Sequence, residues 1–271
     1  MDTQAQSKDS PVLYFPHGGG PLPLLGDSGH KNMVDFLQRI TPTFDEPSAI
    51  LVLSAHWEEE QATITGGEFP PLIYDYYGFP EESYHIKYPA PGDPVLAKNI
   101  FGLLKESTIE AKVDDRRGFD HGLFVPLTIM YPDAHIPSVQ LSLLTGLDPE
   151  SHIRLGRALS ALRKQNVLIV GSGFSFHNMR AFSSSRHHVP DSNNDAFQQW
   201  LIDTCTNENI SLEERERRLV EWERAPFARY CHPREEHLMP LHVCCGLAGS
   251  SAKLAFDGEV LGKRSIALVW E

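Results

Sequence analysis

Asn166-Val167-Leu168-Ile169-Val170-Gly171-Ser172-Gly173-Phe174-Ser175-Phe176-His177-Asn178 is a run of β-branched and aliphatic residues that ends in Gly-Ser-Gly and then delivers a histidine. Such a run reads as a buried strand feeding a tight turn. The pattern occurs twice more: Pro11-Val12-Leu13-Tyr14-Phe15-Pro16 leads to His17 and Gly18-Gly19-Gly20, and Ala49-Ile50-Leu51-Val52-Leu53-Ser54-Ala55 leads to His56-Trp57. The apolar residues are continuous rather than alternating, as expected of strands covered on both faces. In open α/β sheets ligands bind beyond the carboxyl ends of the strands. Three strands that release His17, His56 and His177 there point to one convergent histidine site, with the rest of the chain as its scaffold.

Working outward, helical apolar spacing marks residues 32–40 (Met33, Phe36, Leu37, Ile40) and 94–106 (Leu96, Ile100, Leu103, Leu104). The apolar segment 123–131 is preceded by Asp120, a suitable N-cap. A strand at 138–144, a helix at 149–164 and the strand that ends near His177 continue the alternation. Helices are expected at 196–205 and at 211–223, where Ser211 and Glu214 form a capping-box pattern. Cys231 to His242 leads into a small-residue helix through Ala248, and two final strands, 253–256 and 264–270, flank a turn at Asp257-Gly258. This alternation predicts an α/β fold, a single domain over residues 11–271 with a central, mostly parallel sheet and helices on both faces. Residues 1–10 are expected to be disordered and 183–195 to be a polar loop. Residues 70–95, rich in Pro, Tyr and Gly, are expected to form a long aromatic loop, ordered enough to serve as a wall. There is no internal repeat and no linker.

Composition limits what the site can be. The chain has 271 residues, 41% of them hydrophobic, enough for a substantial core. No run approaches the roughly 18 uninterrupted apolar residues of a membrane helix, and the polar first ten residues lack the apolar stretch of a secretory signal. A soluble, cytoplasmic protein is the expectation. The net charge of −12 argues against a nucleic-acid partner, which needs a basic face. Cys205, Cys231, Cys244 and Cys245 show no C-x-x-C spacing and read as free thiols in a reducing compartment. Monomer and homodimer both remain open.

Composition assigns a role to none of the 13 histidines. His30, His85, His135, His152, His187, His188 and His242 read as surface or hydrogen-bonded core residues. The strand-end set differs because neutral imidazoles gathered at one place suit Zn, Fe or Cu better than Mg or Ca.

Further blocks make the sequence recognisable. Ser54-Ala55-His56-Trp57, Tyr74-Asp75-Tyr76-Tyr77-Gly78-Phe79-Pro80, Lys87-Tyr88-Pro89-Ala90-Pro91-Gly92, Gly118-Phe119-Asp120-His121-Gly122, Met130-Tyr131-Pro132-Asp133-Ala134, Gly171-Ser172-Gly173 with His177-Asn178, and His232-Pro233 with Glu236-His237-Leu238-Met239-Pro240-Leu241 follow His17-Gly18-Gly19 in order along nearly the whole chain. Together they resemble the class III extradiol ring-cleavage dioxygenases, in the branch related to DOPA dioxygenase. The resemblance implies His17, His56 and His237 as metal ligands, His177 as the acid-base residue above the metal, and His121 as a second histidine that orients substrate or oxygen. His232 becomes a candidate for contacting substrate substituents. Other branches carry a glutamate as third ligand; here its place looks taken by His237. Glu236, if helical, would point about 100° away from its neighbour, which leaves it beside the ligand rather than on the metal.

The activity implied is ring cleavage of a small aromatic diol by O2, with Fe(II) as the working ion and Zn(II) possible in the same site. A catechol would bind through both hydroxyls, and His177 would accept one proton and later return it. Three rival readings are a zinc hydrolase that uses a metal-bound hydroxide, a non-catalytic metal-binding relative, and a nucleotide-binding protein. The last is weakened because the loop after His17 has neither a G-x-G-x-x-G nor a P-loop lysine pattern.

Overall fold

The three apolar runs that end near histidines lie side by side in the computed structural model, which describes residues 9–183 and 190–271. In chain order the elements are β1 (Val12–Pro16), α1 (Lys31–Ile40), β2 (Ala49–Glu59), β3 (Ala62–Thr65), α2 (Pro94–Glu106), β4 (Ala111–Asp114), α3 (His121–Met130), β5 (Ser138–Leu144), α4 (Pro149–Ala158) and β6 (Val167–Gly173). They continue with α5 (Met179–Ser183), α6 (Ser192–Thr206), α7 (Leu212–Val220), α8 (Ala228–Cys231), α9 (Met239–Ala248), β7 (Lys253–Val260) and β8 (Lys263–Trp270). The sheet order is β4-β3-β5-β2-β6-β1-β8-β7. Its centre, β5-β2-β6-β1, is parallel throughout, while β8 joins β1 and β3 joins β5 in antiparallel fashion.

Strand β6 explains why both faces are covered. Side chains alternate along a strand, and a Cβ on Gly171 or Gly173 would strike Cys244 Sγ or the His237 carbonyl on the α9 side. Ser172, between them, points the other way and hydrogen-bonds the carbonyl of Gly122 in α3. Glycine at 171 and 173 therefore lets the chain around α9 approach to backbone distance. Helix α4 lies against α9 by the same device: a Cβ at Gly156 would stand 2.0 Å from the Val243 oxygen, and one at Gly246 2.1 Å from the Ile153 oxygen.

The α/β class, the central strands and the Asp120 and Ser211 caps agree with the sequence reading. Several details differ. Strands β3 and β4 were not anticipated; each has four residues, and β4 is only partly buried. The expected helix at 149–164 is α4 followed by a 3-10 turn at Ser160–Gln165. The final hairpin does not turn at Asp257-Gly258, because Arg264 takes both oxygens of Asp257 at 2.7 Å within the strand pair. It turns at Leu261-Gly262, whose φ of 53° and 73° are the paired left-handed values of a type I′ turn. Leu261 tolerates this because its N–H bonds the Gly29 oxygen at 2.9 Å and its side chain lies against Gly19 and Gly29. Residues 1–8 of the expected disordered terminus, the 184–189 part of the expected polar loop, and His187 and His188 lie outside the described residues.

Candidate metal centre

At the carboxyl ends of β1 and β6 and the bulged last part of β2, five of the predicted histidines meet. His17 follows β1 and its N–H bonds the Gly173 oxygen at 3.1 Å. His56 lies within β2, in a stretch where Leu53 to Glu58 spans only Leu141 to Leu143 of β5. A bulge of this kind re-aims a side chain beside a site. His121 is the first residue of α3. His177 follows β6, its N–H held by the Cys231 oxygen at 2.9 Å. The carbonyl of His237 is gripped by the Phe174 N–H at 3.0 Å and the Tyr14 hydroxyl at 3.1 Å, which fixes the ring against the sheet.

The ring centroids of His17, His56 and His237 are 4.8, 4.9 and 5.2 Å apart. His121 packs on His56 at 3.9 Å, and His177 stacks on His237 at 3.4 Å with the planes 19° apart. The Nε2 atoms of His17 and His56 approach to 2.9 Å.

Hydrogen bonding settles most of the tautomers. Pro126 sits inside α3 and has no N–H, so the Gly122 carbonyl lacks its helical donor and the Ser172 hydroxyl supplies one. With its hydrogen committed, Ser172 Oγ accepts from His17 Nδ1 at 3.0 Å. The lone pair of His17 is therefore on Nε2, facing His56. Asp75 accepts both the backbone N–H of His121, at 3.0 Å, and its Nδ1–H, at 2.8 Å. Glu236 Oε1 lies 2.9 Å from Nδ1 of His237 and 2.9 Å from Nδ1 of His177. The nearest carboxylate oxygen to His56 Nδ1 is Asp75 Oδ2 at 3.8 Å, too far for a hydrogen bond.

Electrostatics favour neutral rings. Burial, and then the neighbouring imidazoles, hold His17 and His237 well below the ordinary histidine range. His56 is lowered in the same way, against a smaller opposing effect of Asp75. Burial pushes Asp75 up, but its bonds with His121 outweigh that and keep it below the usual carboxylate range. Under β2, Asp120 is fully buried and raised by that burial, and it accepts from Ser54 Oγ at 2.7 Å, Gly122 N at 3.0 Å and Arg117 Nη2 at 3.2 Å. Ser54 Oγ in turn accepts the N–H of His56 at 3.2 Å.

Three uncharged imidazoles whose donor nitrogens share one small space, with no hydrogen available from His17, fit a divalent cation of the nitrogen-binding kind. His17, His56 and His237 have ligand atoms all within 4.8 Å of one another, as do the overlapping sets His56-Asp75-His121 and His177-Glu236-His237.

The sixth predicted residue is placed differently. His232 has no exposed surface; its Nε2–H goes to the Ser175 oxygen at 2.9 Å, and Phe197 and Trp222 pack its ring. Burial brings its pKa down to about 3. This fits a framework ring, not one that lines a substrate pocket. Glu236 departs from expectation too. Glu236, His237 and Leu238 form a turn ahead of α9, so helical spacing does not separate the two side chains. In the aromatic loop the hydroxyls of Tyr74, Tyr76 and Tyr88 donate to the carbonyls of Ile86, Ser83 and Tyr131, which uses them as staples. Tyr76 also sets its ring edge-on to His121 at 5.7 Å.

Sequence reasoning assigned no role to Ser172, Asp75 or Ser54, although all three stand in the quoted blocks. Residue type alone does not reveal which imidazole a hydroxyl or carboxylate will meet. The four cysteines are buried free thiols, and burial raises the pKa of each, which disfavours the thiolate that a ligand or nucleophile needs. Among the described residues no helix is long and apolar enough to cross a membrane.

Residues 13–267 match the family described as the catalytic LigB subunit of aromatic ring-opening dioxygenase. The chain is 42% identical over 276 residues to the dioxygenase tasH of Hapsidospora irregularis, covering 96% of this chain and 85% of that protein. It is 38% identical over 259 residues to the 4,5-DOPA dioxygenase extradiol of Beta vulgaris, covering 92% of each. The crystal structure of an uncharacterized Escherichia coli K12 protein superposes with a TM-score of 0.78 at 29% identity, over 97% of this chain and 100% of that one. The chain belongs to the LigB family of class III extradiol ring-opening dioxygenases.

Proposed function

We propose that this extradiol ring-opening dioxygenase cleaves a small catechol with O2 at an Fe(II) ion held by Nε2 of His17, His56 and His237. The observation that carries the reading is the convergence of those three neutral rings with His177 stacked on one of them. When bound, the ion supplies Lewis-acid activation of the two substrate hydroxyls and an electron path between ring and oxygen. The rest falls to the chain. His177 sets its Nδ1 2.9 Å from Glu236 Oε1, whose charge favours the hydrogen on that nitrogen and leaves a bare Nε2, ready to take a proton from a substrate hydroxyl and return it. His121, fixed by Asp75, turns its own Nε2 away from that carboxylate and orients the second reactant. Tyr76 and Phe124 back this side with apolar surface that excludes water. Zn(II) would bind the same three nitrogens but, having no redox chemistry, would not support oxygen consumption.

The relatives named 4,5-DOPA dioxygenase favour a DOPA-like catechol as substrate. Residues 11–271 are read as one catalytic unit, and four buried free thiols favour a reducing, cytoplasmic location. The test is metal analysis of anaerobically purified protein together with oxygen uptake on several catechols. No uptake after reconstitution with Fe(II) would refute the reading. His56→Ala and His237→Ala are expected to lose metal, whereas His177→Ala keeps it and loses turnover; release of metal by His177→Ala would overturn the division of roles.

A further inference from the structure

We infer that Glu236 is a positioning residue that orients two imidazoles at once, the ligand His237 and the proton-transfer residue His177. Its Oε1 lies 2.9 Å from Nδ1 of each ring. The His237 contact is a hydrogen bond, while at His177 the same oxygen makes a close N···O ion-pair contact; a carboxylate has no hydrogen to give, so its charge favours a hydrogen on each Nδ1 and turns both Nε2 lone pairs to the opposite edge of the stack. The rings are nearly parallel at 3.4 Å, which puts the two lone pairs side by side. Glu236 is only 12% exposed, and its other oxygen is tethered by Arg234, at 3.5 Å, which pairs with both oxygens of Glu58 in β2 at 2.6 Å. The same geometry argues against Glu236 as a metal ligand, since its oxygen occupies the Nδ1 edge of His237, away from Nε2.

Hydrogen-bond partners on the far nitrogen of a ligating histidine are worth about 10- to 100-fold in metal affinity. Glu236→Ala is therefore expected to weaken Zn(II) binding by that factor in a chelator competition. Glu236→Gln, which keeps a neutral acceptor oxygen in place, should recover about half of the loss on a logarithmic scale, because charge-assisted bonds are roughly twice as strong as neutral ones. Loss in Ala with recovery in Gln is not the pattern of a generally loosened fold.

The inference rests on the roles proposed above for the two rings, and a second measurement is independent of activity. Histidine 15N resonances of the metal-free wild-type protein should show His177 and His237 as Nδ1–H tautomers. Nε2–H tautomers at both rings, or Glu236→Ala binding Zn(II) within about threefold of wild type, would overturn the proposal. If Glu236→Ala does not fold, the wild-type tautomers decide. Nδ1–H tautomers in a protein that takes up no oxygen would sink the dioxygenase reading and leave the positioning role standing.

Discussion

Lowering the pH from 7.5 to 5.0 should strip the metal-free protein of several kcal/mol of stability, and two histidines outside the candidate metal centre give the size of the effect. His232 and His242 are completely buried, and burial brings their pKa values from the ordinary 6.5 down to about 3 and about 4. Each folded value lies below the unfolded one, so between them the unfolded chain holds more protons. Stability is complete above about pH 6.5 and falls as the pH drops toward the folded values. At pH 5.0 an unfolded ring gains about 1.4 kcal/mol per pH unit over roughly 1.5 units, or about 2 kcal/mol. The two rings together give about 4 kcal/mol, set against total stabilities of about 5–15 kcal/mol. His17, His56 and His237 act in the same direction. Urea unfolding followed by tryptophan fluorescence at both pH values measures the difference through the midpoint and slope. His232→Gln, which cannot titrate, should show a pH dependence smaller by about 2 kcal/mol. A wild-type loss under about 1 kcal/mol, or a variant with the wild-type dependence, would refute the reasoning.

Two substitutions test the framework of the centre. Gly173→Ala would put a Cβ 2.2 Å from the His237 oxygen and 3.0 Å from Tyr14 Cε2, so a cost of about 1–3 kcal/mol or more is expected in thermal unfolding, with weaker metal binding in the same preparation. Ser172→Ala would leave the Gly122 carbonyl and His17 Nδ1–H buried without partners, at about 1–3 kcal/mol. It should also lower metal affinity about 10- to 100-fold, and unchanged affinity would show that the serine does not hold the ring.

What the sequence made legible follows from where one physical effect dominated. Val167 to Gly173 and Val12 to Pro16 are buried throughout, so their apolar runs could be read directly, and the histidines after them were placed by topology. Strands β3 and β4 were not legible because four residues carry too little pattern and their pairing is decided by partners far along the chain. Asp257-Gly258 is a strong local turn signal, but the packing of Leu261 on Gly19 and Gly29 outweighed it. Likewise a helical reading of Glu236 failed because the chain turns once more before α9 begins. The setting of His232 was not legible because a histidine beside a proline looks the same whether its ring faces a cavity or, as here, Phe197 and Trp222.

The three proposed donor histidines are spread so that the first follows β1 and the last lies in the turn before α9. A chain emerging from its N-terminus exposes His17 and His56 early, but His237 appears only when most of the sequence has been made. Its backbone carbonyl is held by Phe174 and Tyr14, which stand at the end of β6 and in β1, two strands that pair side by side. Two of three imidazoles bind an ion far more weakly than the full set, so the ion cannot serve as an early template for folding. In the proposed site, a chain that ends before His237 would give up its ion, whereas one that includes His237 and the strands that hold it would keep it.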